Sequence, residues 1–206
     1  MVSRRFPGWL VKRLPNPSLA HEVKVLMREK RLHTVCEEAH CPNLFECFAR
    51  STATFMIGGD LCTRTCGYCA VKKGAPLPLD PGEPRRVAEA AARMRLRHVV
   101  VTMVNRDDLA DGAAGHVVET IEAIRGLLPG AAVEVLVSDF MGGFAAVERV
   151  VRARPDVFNH NMETVRRLFK RIRPGGSYER SLRVLGMARE IGPGMTTKSG
   201  IMVGMG

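Results

Sequence analysis

With 206 residues, 46% of them hydrophobic and 25% charged, the chain has an ordinary globular composition and is long enough for one large core. No apolar run reaches the roughly 18 residues of a membrane span, and the basic start, MVSRRFPGWLVKRLPNPS, lacks the apolar stretch and cleavage site of a secretory signal and carries prolines that disfavour a transit-peptide helix, so a cytoplasmic location is expected. The net charge of +10 favours acidic partners, but the cations fall in short separate clusters and aromatics are only 5%, so neither nucleic acid nor membrane is expected as a partner.

Taken in chain order, residues 18–31, SLAHEVKVLMREKR, read as a helix with Ser18 as N-cap. TATFMI, 52–57, reads as a strand. GEPRRVAEAAARMRL reads as a helix, RHVVVTMV as a buried strand, GHVVETIEAIRGLLP as a helix and AAVEVLVSDF as a strand. GGFAAVERVVRAR is again helical, DVFNHNME a short strand, TVRRLFKRIR and YERSLRVLGMAREIG helices, and TTKSGIMVGMG a fifth strand. Strands alternating with helices predict βαβ units and a parallel sheet. KKGAPLPLDPGEP is an irregular linker that stays inside one domain.

All six cysteines lie between positions 36 and 69. A secreted disulfide scaffold would spread them along a small chain and follow a signal peptide. Grouped, reduced thiols point instead to metal. Structural zinc prefers four ligands in paired knuckles. Here Cys62, Cys66 and Cys69 form C-x3-C-x2-C and stop, while Cys36, Cys41 and Cys47 form C-x4-C-x5-C and also stop. Two triplets fit two zinc sites badly and fit thiolate-held iron–sulfur clusters better. A four-iron cluster with three cysteine ligands keeps one iron open, as catalytic metal sites do. Gly58 and Gly59 before the second triplet, and Gly67 inside it, let the thiolates converge.

The stretch CTRTCGYC, with an aromatic just before the last cysteine, resembles the signature of radical S-adenosylmethionine enzymes. The longer segment TVCEEAHCPNLFECFARSTATFMIGGDLCTRTCGYCAVKKG closely resembles lipoyl synthases. So do NRDDLADGAAGH, PDVFNHNMETV, RPGGSYERSL and TKSGIMVGMG, and PGWLVKRLP looks like the family's opening segment. The resemblance implies an α/β fold, a partial (β/α)6 barrel, here of about five β/α units. Residues 1–50 would form an N-terminal extension carrying the auxiliary cluster, and 51–206 the barrel. It implies two 4Fe-4S clusters and S-adenosylmethionine as cofactors. Cys62, Cys66 and Cys69 would hold the cluster that cleaves S-adenosylmethionine to a 5′-deoxyadenosyl radical. Cys36, Cys41 and Cys47 would hold the auxiliary cluster, the sulfur source. The implied reaction inserts sulfur at C6 and C8 of an octanoyl group on a lipoyl carrier domain or a glycine-cleavage H protein, with a reductant such as flavodoxin or ferredoxin.

In such a barrel, sites sit at the C-terminal ends of the strands. Thr102, Asn105, Arg106 and Asp107 follow the second strand; Ser138 and Asp139 the third; His160, Asn161 and Glu163 the fourth; Lys198 and Ser199 belong to the fifth. Tyr68, Thr102, Asn161, Glu163 and Lys198 are the candidate S-adenosylmethionine contacts, with Tyr68 near the adenine as in the superfamily. His160 reads equally well as a satisfied core histidine, and Lys198 pairs either with a substrate or cofactor carboxylate or with a neighbouring acid. Arg106, Asp107 and Asp108 read equally well as a helix cap or an internal pair. The family continues past this point to an Arg-Ser-Ser-Tyr motif whose serine ligates the auxiliary cluster. GGSYERS, 175–181, matches a mid-chain segment instead, so the sequence is expected to be short of its family's end. A non-catalytic iron–sulfur remnant and a biotin-synthase-like sulfur inserter are the alternatives; the upstream triplet argues against the second.

Overall fold

A computed structural model describes residues 17–50 and 52–205. Eight α-helices and six strands follow one another there, with a short 3-10 turn at Phe140–Gly142: α1 Pro17–Glu29, β1 His33–Thr34, α2 Val35–Glu38, α3 Leu44–Ala49, β2 Thr54–Ile57, α4 Glu83–Arg93, β3 His98–Met103, α5 Ala114–Leu127, β4 Ala132–Leu136, α6 Phe144–Arg152, β5 Val157–Asn159, α7 Arg166–Ile172, α8 Tyr178–Ile191 and β6 Thr196–Lys198. The PGWLVKRLP segment lies outside the described residues.

The strands form one sheet in chain order, β1 to β6. β2 to β6 pair in parallel, as the alternating pattern predicts. β1 is an addition: a two-residue strand antiparallel to β2, pairing His33 with Met56 and Thr34 with Phe55. It brings the upstream cysteine segment onto the sheet. Ser18 lies in the first turn of α1, which starts at Pro17, a residue suited to a first helical turn.

Side chains alternate across the sheet. Phe55, Ile57, Val99, Val101, Val133, Val135 and Phe158 face the helical layer and are buried. β3 is rich in β-branched residues because both its faces are covered. Against this surface α5 lays Val117, Ile121 and Ile124, and α6 lays Val147, Val150 and Val151, spaced to share one face of each helix. α4 contributes Ala88, Ala90 and Ala91, whose small side chains let it approach closely. Val23, Leu26 and Met27 of α1 and Phe48 of α3 join the same core, so residues before 50 are built into the barrel layer. Each such aliphatic or phenyl group contributes about 1.5–3 kcal/mol on burial, and Phe158→Ala would cost about 3–5 kcal/mol.

The opposite, concave face carries Met56, Thr102, Glu134, Leu136, Asn159 and Lys198 in register. It opens at the C-terminal ends of the strands into the candidate site. β5 and β6 stay joined beyond their ends: Glu163 N–H donates to Gly200 O at 2.9 Å and Met202 N–H to Glu163 O at 2.8 Å.

Candidate active site

The loop after β2 turns on Gly58 and Gly59, both at positive φ, 84° and 98°. Each polar group of Gly58 is held. Its N–H donates to the buried Glu83 carboxylate at 2.8 Å, and its carbonyl accepts from Arg106 Nη1 at 3.0 Å. Glu83 also pairs with His116 at 2.6 Å. Arg106 chelates Asp108, so of the Arg106–Asp107–Asp108 run those two pair with each other. Asp107 turns instead to Arg64.

From this turn the chain carries Cys62, Cys66 and Cys69 into the wall of a cavity of about 430 Å³. Tyr68, Thr102, Asn161 and Glu163 line the same cavity, with Asn105, Ser138, Arg64 and Arg173. Val35 and Ala39 line it too, so the segment bearing Cys36, Cys41 and Cys47 approaches the same space. The Cys41 N–H donates to the Cys36 carbonyl at 3.1 Å, folding that segment into turns.

The thiol environment suits a multivalent metal centre. Burial pushes the Cys66 thiol up, with Cys62 and Cys69 adding to the rise and Arg173 and Tyr68 opposing it. Burial likewise raises Cys36, and Cys41 and Cys47 add to it. Such repulsion among thiolates is relieved by bound cations. The Asn105 backbone N–H donates to Cys62 Sγ at 3.3 Å, and its Nδ2 approaches at 3.6 Å. Hydrogen bonds to sulfur are among the features that tune iron–sulfur centres. Among the described residues no group of three or more His, Cys, Asp or Glu side chains converges as a metal-ion site. A cluster with one iron per thiolate does not need convergence on one point, whereas zinc does, at about 2.3 Å from each sulfur.

Around the thiols the polar groups are incompletely used. Arg64 Nη1, Asn105 Oδ1 and Arg173 Nε are buried and have no partner among the described residues, and all three residues line the cavity. Unpaired buried polar atoms are costly, so a polar ligand is what they fit. Arg173 Nη1 donates to Asn161 O at 2.6 Å, fixing the guanidinium beside the pocket. Burial raises the Glu163 carboxyl, opposed by Asn161, Arg173 and Tyr68. Glu163 adopts φ of +65°, uncommon for a residue with a Cβ. Burial also pushes the Tyr68 hydroxyl up, with Glu163 adding.

The structure separates the other candidates from the pocket. Lys198 Nζ donates to Glu134 Oε1 at 2.7 Å, a neighbouring acid a layer below on the concave face, and Lys198 is not among the residues that line the cavity. Strand alternation puts it there, beside Asn159. His160 is a satisfied core residue between Val137 O at 2.8 Å and Ser181 Oγ at 3.0 Å, its pKa lowered to about 4 by burial and then by Arg173. Ser199 Oγ accepts from Met162 N–H at 3.2 Å, supporting the turn that carries Asn161 and Glu163. Asp139 belongs to an ion network with Arg64 and Arg180. Arg64 and Arg173 escape sequence reasoning. The only signals were an arginine enclosed between two cysteines and one preceding Pro-Gly-Gly. A larger cavity, about 850 Å³, lies among Arg125, Arg154 and Gly192 and contains no thiol.

A parallel half-barrel with three thiols after its first parallel strand, facing a largely apolar pocket with a few convergent polar groups, is the arrangement of a radical S-adenosylmethionine protein, and the Radical SAM superfamily model matches residues 56–206. Solved structures share the fold: methylornithine synthase (PylB) at a TM-score of 0.57 with 14% identity, over 95% of this chain and 57% of that one. The [FeFe]-hydrogenase maturase HydG matches at 0.57 with 17% identity, over 92% and 47%. Among curated relatives, the lipoyl synthase of Rubrobacter xylanophilus is 56% identical over 97% of this chain and 62% of its own length. That of Caldanaerobacter subterraneus subsp. tengcongensis is 56% identical over 98% and 70%, and that of Symbiobacterium thermophilum 56% over 100% and 64%. The chain belongs to the lipoyl synthase family. It spans between 62% and 70% of the length of these relatives. Family membership implies S-adenosylmethionine and a 4Fe-4S cluster. Among the described residues no helix is long and apolar enough to cross a membrane.

Proposed function

We propose that this chain performs radical insertion of two sulfur atoms, at C6 and C8 of a protein-bound octanoyl group, to form the lipoyl cofactor. The observation that carries the reading is the placement of two cysteine-bearing segments against one pocket, in a chain more than half identical to lipoyl synthases. Cys62, Cys66 and Cys69 hold the cluster that meets S-adenosylmethionine. Cys36, Cys41 and Cys47, in an N-terminal extension to about residue 50, hold a second, auxiliary cluster; residues 51–206 form the partial barrel. When bound, these groups supply the electron and sulfur chemistry that no side chain offers.

The protein's part is to bind, orient and exclude water. Asn105 donates to the Cys62 sulfur. Asn161 and Glu163 offer acceptors to the ribose and amino groups of S-adenosylmethionine, and Arg173 a cation for its carboxylate. Tyr68 packs near the adenine, and the Thr102 hydroxyl, which donates to Leu136 O at 3.3 Å, offers its lone pairs to the pocket. Met56, Val71 and Val104 form a small apolar cluster behind Cys62 and Cys69, keeping water from that side. The carrier is an octanoylated lipoyl domain or a glycine-cleavage H protein, the reductant a flavodoxin or ferredoxin, and the setting a reducing cytoplasm.

Mass spectrometry of an octanoyl-lysine carrier peptide, incubated anaerobically with reconstituted protein, reductant and S-adenosylmethionine, tests this. Two sulfurs should be gained. Cys41→Ala should still form 5′-deoxyadenosine but add no sulfur. Sulfur addition that survives Cys41→Ala would remove the auxiliary role.

A further inference from the structure

We propose that the outer face of α7 docks an acidic one-electron donor protein beside the cluster loop. This rests on the radical reading above. Arg167, Lys170 and Arg171 stand at i, i+3 and i+4 and so share one face of the helix. All three are exposed. None has an ion-pair partner among the described residues, whereas Arg166 is engaged by Glu179 and the Tyr178 ring. Like charges at this spacing repel and weaken a helix. The other face, Leu168 and Phe169, is buried, so the cationic face is all that α7 offers outward. Val165, 47% exposed at the head of the helix, adds an apolar contact within the cationic rim.

The place of this face sets the partner. The last residue of α7, Ile172, accepts the Gly67 N–H at 2.9 Å, so the helix abuts the outside of the loop that holds Cys62, Cys66 and Cys69. Thr65 and Gly67 reach the surface while the Cys62 and Cys66 side chains lie beneath it. The three cations do not line the pocket; the neighbouring Arg173 does. A protein on this face therefore comes close to the thiol-held cluster without covering the cavity where a substrate must enter. That suits electron supply, and it does not suit substrate delivery. One electron leaves the reduced donor, which is oxidised by one electron, and reduces the cluster held by the three cysteines; no atom moves. The net charge of +10 steers an acidic donor inward.

The test uses the reconstituted holoenzyme and reduced flavodoxin, an acidic protein donor, with dithionite as a small-molecule control. The triple variant Arg167→Glu, Lys170→Glu, Arg171→Glu should lower flavodoxin-driven 5′-deoxyadenosine formation about tenfold or more at low salt and abolish its salt sensitivity. Dithionite-driven formation should stay within about twofold. The milder triple Gln variant, less prone to misfolding, should show a smaller loss of the same kind. An unchanged flavodoxin-driven rate overturns the proposal. So does intact flavodoxin-driven cleavage with a raised KM for the octanoylated carrier, which assigns the face to the carrier. If the unaltered protein forms no 5′-deoxyadenosine even with dithionite, the radical reading itself fails, and this proposal with it.

Discussion

Arg64 donates to Asp139 at 2.6 Å across the mouth of the barrel, from the middle of the cysteine loop to the end of β4, and the two side chains are 2% and 0% exposed. The same guanidinium holds Asp107 through two bonds of 2.6 and 2.9 Å. Asp139 in turn accepts from Arg180 Nε at 2.8 Å, and Arg180 donates to Gly175 O at 2.6 Å. One cation placed between Cys62 and Cys66 thereby ties the cluster loop to the loops after β3 and β4 and to the turn before α8. The geometry of the thiols is set by charges that are distant in sequence.

Replacing Arg64 should cost more than a surface ion pair would. Arg64→Met leaves the buried Asp139 with Arg180 alone and frees the exposed Asp107, the loss of a charge-assisted hydrogen bond in a buried site worth about 1.5–3 kcal/mol. Arg64→Lys should recover only part, because an ammonium lacks the planar fork that grips Asp107 twice. Burial pushes the Asp139 carboxyl up, but Arg64 and Arg180 outweigh it and hold it below its ordinary value. A depressed carboxyl contributes stability above its unfolded pKa, about 3.9, which is lost as pH falls through the folded value. Urea unfolding across pH should show this acid-side slope in the unaltered protein, and Asp139→Asn should flatten it. An Arg64→Met variant as stable as the parent would refute the network's role.

Glu163 joins strain and burial at one position. Its φ of +65° favours glycine, yet its carboxylate faces the pocket. Glu163→Ala should weaken S-adenosylmethionine by about 1.5–3 kcal/mol through loss of a charge-assisted hydrogen bond. Glu163→Gly should bind equally poorly while staying close to neutral in thermal stability. Relief of about 1 kcal/mol of left-handed strain offsets glycine's entropy cost of about 0.5–1 kcal/mol. Titration calorimetry and thermal melts separate the two effects. Unchanged affinity in both variants would make Glu163 structural.

Lys198 should behave as a minor structural residue. Its side chain is 55% exposed and its partner Glu134 also interacts with His98 and Asn159. The Glu134 carboxyl is raised by burial, yet Lys198 leads the groups that bring it below its ordinary value. Discounted for solvent, Lys198→Met should cost only about 0.2–1 kcal/mol. S-adenosylmethionine affinity should not move. A large loss of affinity would return Lys198 to the site.

The β/α alternation is legible because β3 and β4, covered on both faces, need apolar β-branched runs, while α5 and α6 bury stripes with helical spacing. The cysteine loop is legible because its spacing is itself chemistry. β1, α2 and α3 are too short for a period; Leu44 and Phe48 are placed by packing on the core around α1. Arg64 is illegible because Asp107 and Asp139 lie 43 and 75 positions away, and a single cation reads by default as solvated. Lys198 is ambiguous for the opposite reason. It sits at the strand end where site residues gather, but the alternation of β6 aims it at Glu134.

The two cysteine segments approach the pocket from different elements, the loop after β2 and the turns around α2 and α3. If each triplet holds its own cluster, they should fill and empty independently. Anaerobic reconstitution should then give about eight irons and eight sulfides, and either triplet changed to alanine should leave about half. The surviving halves should differ in behaviour. With Cys36, Cys41 and Cys47 removed, S-adenosylmethionine should still perturb the electron paramagnetic signal of the remaining cluster, because Cys62, Cys66 and Cys69 share their pocket with Asn161, Glu163 and Arg173. With Cys62, Cys66 and Cys69 removed, the remaining cluster should be blind to it. Zinc in place of iron, or four irons in the unaltered protein, would end the two-cluster account. A cluster on Cys36, Cys41 and Cys47 that responds to S-adenosylmethionine would exchange the roles of the two triplets.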